Sequence, residues 1–161
     1  MNDVQRFLSQ AVALAGANVR ERRGRPFGAV LVRDGQVLAT GVNEVAMTGD
    51  PTAHAELQAI RSACRITGAV RLDGYVMFAS GHPCPMCLTA MYLTGIRRVY
   101  CAFSNEAGEP FGLSTAEIYA DLARPARERA VHVECSPIPL DDEHPYEAWR
   151  ALKERERMKA E

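Results

Sequence analysis

Two short stretches constrain everything else this chain can do. Residues 51–56 read Pro-Thr-Ala-His-Ala-Glu, and residues 83–87 read Pro-Cys-Pro-Met-Cys. Each falls at the expected start of a helix that follows a strand region, so a fold that uses them together must set two such junctions side by side. Cys84 and Cys87 are i and i+3, which turns both thiols to one side of a helix start. Pro85 suits the first helical turn, where a missing N–H costs nothing, and the positive end of the helix favours thiolate over thiol. His54 and Glu56 pose a harder constraint, because two positions inside a helix diverge by about 200°. Both can face one point only at the helix start, where His54 need not adopt helical angles, and Asp50-Pro51-Thr52 supplies that irregular entry.

A Cys-x-x-Cys pair alone is as often a redox pair or half of a structural metal site, and His-x-Glu alone says little. Together they offer one imidazole and two thiols, a set that zinc binds tetrahedrally, with a fourth position left for water in a catalytic site. A purely structural zinc would want a fourth Cys or His nearby. His82 is the neighbour of that type, and it lies too close to Cys84 to be the obvious ligand.

Around these motifs the apolar pattern gives the elements. Val4, Phe7, Leu8, Val12 and Leu14 or Ala15 recur at helical spacing over residues 3 to about 18. Gly28–Val32 and Gln36–Thr40 flank Arg33-Asp34-Gly35, and Asp-Gly between two apolar runs is a strong hairpin signal. A helix from about Ala53 to Thr67 carries Leu57, Ile60, Ala63 and Cys64 on one face and stops at Gly68. Tyr75–Ala79 is a nearly continuous apolar run, the pattern of a strand covered on both faces. A helix from about Pro85 to Thr94 and a strand over Arg98–Ala102 follow, and strand-helix-strand implies a parallel pair joined by a right-handed crossover. A short helix over Ser114–Leu122, a fifth strand over Val131–Cys135, and a last helix about 145–158 complete the chain. The fold class is α/β, a three-layer α/β/α sandwich with a five-stranded mixed sheet.

Length and composition exclude several classes. A chain of 161 residues is one domain by ordinary priors, and at that size roughly 70% of the unfolded surface can be buried without disulfide staples. Five cysteines cannot all pair within one chain, and Cys64, Cys101 and Cys135 stand apart from the Cys84/Cys87 pair. That pattern suits a reducing compartment and one metal site, hence the cytoplasm. No apolar run approaches a membrane span of roughly 20 residues. Ala11–Ala17 is too short for a signal segment and has no positive cluster before it. With 19 Lys and Arg against 20 Asp and Glu, the chain has no overall field that would draw in nucleic acid. The Arg20-Glu21-Arg22-Arg23 run reads as a solvated loop, with phosphate contact the minority reading.

At the metal-binding motifs the chain resembles the cytidine-deaminase-like superfamily, from Phe27 to Trp149. Thr52–Glu56, followed by Leu57-x-Ala59-Ile60-Arg61, is similar to both guanine deaminases and tRNA adenosine deaminases. Pro83–Leu88 and Pro145-Tyr146-Glu147-Ala148-Trp149-Arg150 resemble the bacterial guanine deaminases. The resemblance implies a single zinc-dependent deaminase domain over residues 1–161, a guanine-deaminase-like hydrolase of a free nucleobase, and a homodimer. It also implies one zinc per chain held by His54, Cys84 and Cys87, with Glu56 as catalytic proton carrier. In that role Glu56 takes a proton from the attacking water and returns protons to the ring nitrogen and the leaving amine.

By the same resemblance, Asn43 matches a residue that hydrogen-bonds the base, Phe27 an aromatic pocket wall, and Ala55 a backbone contact to the ring. The chain departs from the pattern in two places. Ser114 and Thr115 stand where guanine deaminases carry an acidic pair, which makes Glu117, three residues after Ser114, a candidate substitute carboxylate. His82 stands where Glu is frequent before Pro-Cys. Both departures bear on which base is bound rather than on the reaction. The second reading keeps the chemistry with cytosine, a nucleoside or tRNA adenosine as substrate. The third is an inactive zinc-stabilised binding or scaffold protein, against which Glu56 argues, because a structural site has no use for it.

Overall fold

The computed structural model describes residues 2–139 and 143–160. The first helix, α1 (Asp3–Arg20), opens on a reciprocal cap in which Asn2 and Gln5 bond each other's backbone N–H. The hairpin β1 (Gly28–Arg33) and β2 (Gln36–Val42) turns on Asp34 and Gly35, both at positive φ (51° and 74°), as a tight two-residue turn requires. A one-turn helix α2 (Val45–Thr48) comes after the hairpin. It is followed by α3 (Ala55–Thr67), β3 (Val76–Gly81), α4 (Pro85–Thr94) and β4 (Arg98–Phe103). Beyond them lie α5 (Asn105–Gly108), a 3-10 turn at Glu109–Phe111 and α6 (Ala116–Ala123). The chain up to Pro125 forms one compact unit and the remainder a second, which holds the helix α7 (Pro145–Ala160).

The sheet runs β2-β1-β3-β4, with β1 antiparallel to both β2 and β3, and β3 parallel to β4. Alternation along β1 sorts its side chains to two faces. Ala29 and Leu31 join Met77 of β3 against Ala55, Ala59, Ile60 and Ala63 of α3, and Met91 of α4 belongs to the same cluster. Val30 and Val32 join Phe78 against Phe7 and Ala11 of α1. The Phe7 and Phe78 rings lie 5.0 Å apart, and Tyr100 stacks on Phe78 at 5.3 Å. The sheet is therefore covered on both faces, which explains the continuous apolar runs of β1 and β3.

One expectation fails. The sheet has four strands, not five, because Val131–Cys135 forms no strand. Val131 and Val133 are 75% and 84% exposed. Alternating β-formers fit a pleated surface, but a strand needs a paired backbone and an apolar face to bury, and residues 131–135 find neither among the described residues.

Candidate active site

The two motifs meet at the starts of α3 and α4. His54 is the residue before α3, in extended conformation (φ −76°, ψ 154°), and Cys84 is its counterpart before α4 (φ −72°, ψ 165°). This resolves the His-x-Glu problem. His54 points away from the helical screw while Glu56, already in the first turn, swings back towards it. Pro85 occupies the first turn of α4, where its missing N–H is not needed, and Cys87 lies one turn in.

His54 Nδ1 lies 3.4 Å from Cys84 Sγ and 3.7 Å from Cys87 Sγ, and the two sulfurs are 3.6 Å apart. The donor set can be tested against zinc. Bond lengths of about 2.3 Å to sulfur and 2.05 Å to nitrogen, at tetrahedral angles, place two sulfurs about 3.8 Å apart and sulfur about 3.6 Å from nitrogen. The three separations match, and three donors leave one tetrahedral position open. Among the described residues this is the one group of His, Cys, Asp or Glu side chains gathered closely enough to hold a metal ion. A sulfur separation of 3.6 Å also excludes a disulfide, and all five cysteines are free.

Glu56 is 7% exposed, with Oε2 3.5 Å from Cys87 Sγ. Burial pushes its carboxyl above the usual range, so its proton affinity is closer to what proton transfer at neutral pH requires. The cysteines split a proton. The contact between the two sulfurs, with further help from His54, lowers the Cys84 thiol, while the same contact and burial raise Cys87. His54 is raised in turn by its bond to Cys84. Cys84 and Cys87 would hold a divalent cation as thiolates, each giving up its proton.

The cleft over these groups encloses about 420 Å³, its open mouth included. Phe27 and Asn43 line it with His54, Glu56 and Cys84, and Arg25, His82, Leu113 and Thr115 complete the wall. Phe27 packs against Gly81, where an added Cβ would come within 2.9 Å of its ring. Asn43 is 2% exposed, and its Oδ1 accepts from the Arg25 N–H at 3.4 Å. Ala55 is the first residue of α3, so its N–H has no acceptor within the helix. Glu117 lies elsewhere: it is exposed and does not line the cleft.

In place of Glu117, Thr115 faces the cleft, with its N–H and hydroxyl directed at Asn105 Oδ1 at 3.1 and 3.4 Å. The same Asn105 brings its Nδ2 to within 3.3 Å of His82 Nδ1, and Tyr119 of α6 donates to the Pro83 carbonyl at 2.7 Å. These bonds tie α5 and α6 to the loop that carries Cys84. Arg25 and Thr115 were hidden in sequence, Arg25 within a run of surface charge and Thr115 in a stretch notable for the acids it lacks.

The comparisons with known proteins agree with this geometry. Residues 1–103 match the family model described as the cytidine and deoxycytidylate deaminase zinc-binding region, and the chain belongs to that family. The guanine deaminase of Bacillus subtilis is 41% identical over 146 residues, covering 89% of this chain and 92% of the relative. The X-ray structure of that Bacillus subtilis enzyme superposes with a TM-score of 0.82 over 94% of this chain and 95% of its own. A tRNA-specific adenosine deaminase from Agrobacterium fabrum is 42% identical over 88 residues, 55% of this chain and 58% of the relative.

Proposed function

We propose that this chain is a zinc-dependent aminohydrolase that replaces the amino group of guanine, or of a guanine-like free base, with a carbonyl and releases ammonia. The observation that carries the reading is the pairing of a three-donor cluster, open at its fourth position, with the buried carboxylate of Glu56 beside it. Similarity to a guanine deaminase over nearly the whole chain supports the choice of base.

His54, Cys84 and Cys87 would hold the zinc, which when bound makes water acidic enough to attack near neutral pH. Glu56 accepts one proton from that water as oxygen bonds to the amino-bearing ring carbon, and donates a proton to the adjacent ring nitrogen. It then carries the remaining proton to the amine, the C–N bond breaks, and ammonia leaves with the carbonyl in place. Phe27 offers a ring face for the base, a contact that aromatic walls make at low entropic cost. Because Asn43 Oδ1 already accepts from Arg25, its Nδ2 is free to donate to a carbonyl or ring-nitrogen lone pair. The Ala55 N–H offers a second donor. Thr115, which lines the cleft, takes the place expected of Glu117 in facing the base.

A second reading, wobble adenosine in tRNA, draws on the similarity to tRNA-specific adenosine deaminases and on Arg25, which lines the cleft and follows the arginines at 20, 22 and 23 in sequence. The balanced net charge of −1 favours the free base. We further propose that the protein acts in the cytoplasm, where its five free thiols stay reduced, as a single deaminase domain and a homodimer. No helix among the described residues is long and apolar enough to cross a membrane. The exposed Tyr146, Trp149 and Leu152 of α7 support association. Ammonia release from guanine, set against cytosine, guanosine and tRNA, tests the substrate assignment.

A further inference from the structure

Asn18 sits in the last turns of α1, outside the cleft, and is 2% exposed. Its Nδ2 donates to two backbone carbonyls at once, Arg25 O and Asn43 O, each at 2.9 Å. Two acceptors facing one end of the amide fix which end is nitrogen. The other end, Oδ1, is the one buried side-chain polar atom without a hydrogen-bond partner among the described residues. Leaving such an atom unpaired is costly, so an apolar residue would fill this place more cheaply if only packing were at stake.

What the amide does is join three segments that meet at the cleft. Arg25 N in turn donates to Asn43 Oδ1 at 3.4 Å, and Asn43 N donates to Phe27 O at 3.1 Å. Gly24 closes the ring of contacts, since a Cβ there would collide with the Asn43 carbonyl and come within 3.2 Å of Asn18 Nδ2. Asn43 is thereby held at both its backbone and its side chain, with its Nδ2 left for the cleft.

We infer that Asn18 is a positioning residue for substrate: it sets the orientation of Asn43 and the Arg25–Phe27 wall without touching the base. The inference rests on the reading that Asn43 contacts the substrate, and a double-mutant cycle separates the two. Steady-state kinetics of the zinc-loaded protein with guanine, with thermal melting and zinc content as controls, compare wild type, Asn18→Ala, Asn43→Ala and the double variant. Asn18→Ala raises KM about tenfold and leaves kcat within about threefold and zinc unchanged. In the Asn43→Ala background the same substitution adds less than about threefold to KM. Gly24→Ala, in the loop outside the core, presses on the same contacts and raises KM in the same way, which keeps the test available if Asn18→Ala does not fold.

An Asn43→Ala protein with normal KM overturns the reading of Asn43 and this inference together. A raised KM in Asn43→Ala, with normal KM in both folded Asn18→Ala and Gly24→Ala, overturns the inference alone. A fall in kcat and melting temperature at constant KM marks Asn18 as merely structural and also overturns it.

Discussion

Glu56 shows how much chemistry depends on one residue's placement in a helix. A carboxylate in the first turn of a surface helix is ordinarily a solvated group that favours the helix dipole. Here the same turn is buried against the start of α4, and the carboxyl ends 3.5 Å from a cysteine sulfur. Replacing it with glutamine preserves shape and hydrogen bonding but removes the carboxylate proposed as the proton carrier. Glu56→Gln is expected to retain full zinc by metal analysis and to lose roughly 10²- to 10⁴-fold in kcat. The sequence made His54, Cys84, Cys87 and Glu56 legible because metal chemistry restricts residue type and spacing so tightly. It did not make Thr115, Arg25 or Asn18 legible. Their roles arise from bonds between segments far apart in sequence, such as Asn18 to Asn43, and no local pattern encodes those.

At the level of elements, the site is the junction of two helix starts, and what holds the junction is close backbone packing. Gly41 of β2 lies so near the start of α3 that an added Cβ would strike the Ala55 carbonyl and the Ala59 nitrogen. Gly41→Ala must push α3 outward, and with it His54 and Glu56. Overpacking of this kind costs about 1–3 kcal/mol, so chemical denaturation should show that loss together with a fall in kcat. Zinc held by His54, Cys84 and Cys87 would join the starts of α3 and α4. Its removal by a chelator should lower the melting temperature as well as abolish turnover, and added zinc should restore both. The periodicity of α1, α3 and α4 and the Asp34-Gly35 turn were readable because each is a local signal. The strand expected over Val131–Cys135 was not a sound expectation, because a strand exists only where a partner accepts it.

For the whole molecule, the homodimer proposed above rests on the exposed apolar residues of α7. Tyr146 and Trp149 of α7 are 81% and 58% exposed and are available for such an interface. Light scattering should return twice the mass of the chain, and Tyr146→Ser with Trp149→Ser should shift the protein towards monomer. The most direct test of the account is a balance of products from guanine. Zinc-loaded protein incubated with guanine should release ammonia and the corresponding deaminated base in equal amounts, faster than it acts on cytosine, guanosine or tRNA adenosine. No ammonia from guanine, in protein shown to carry one zinc per chain, would contradict it.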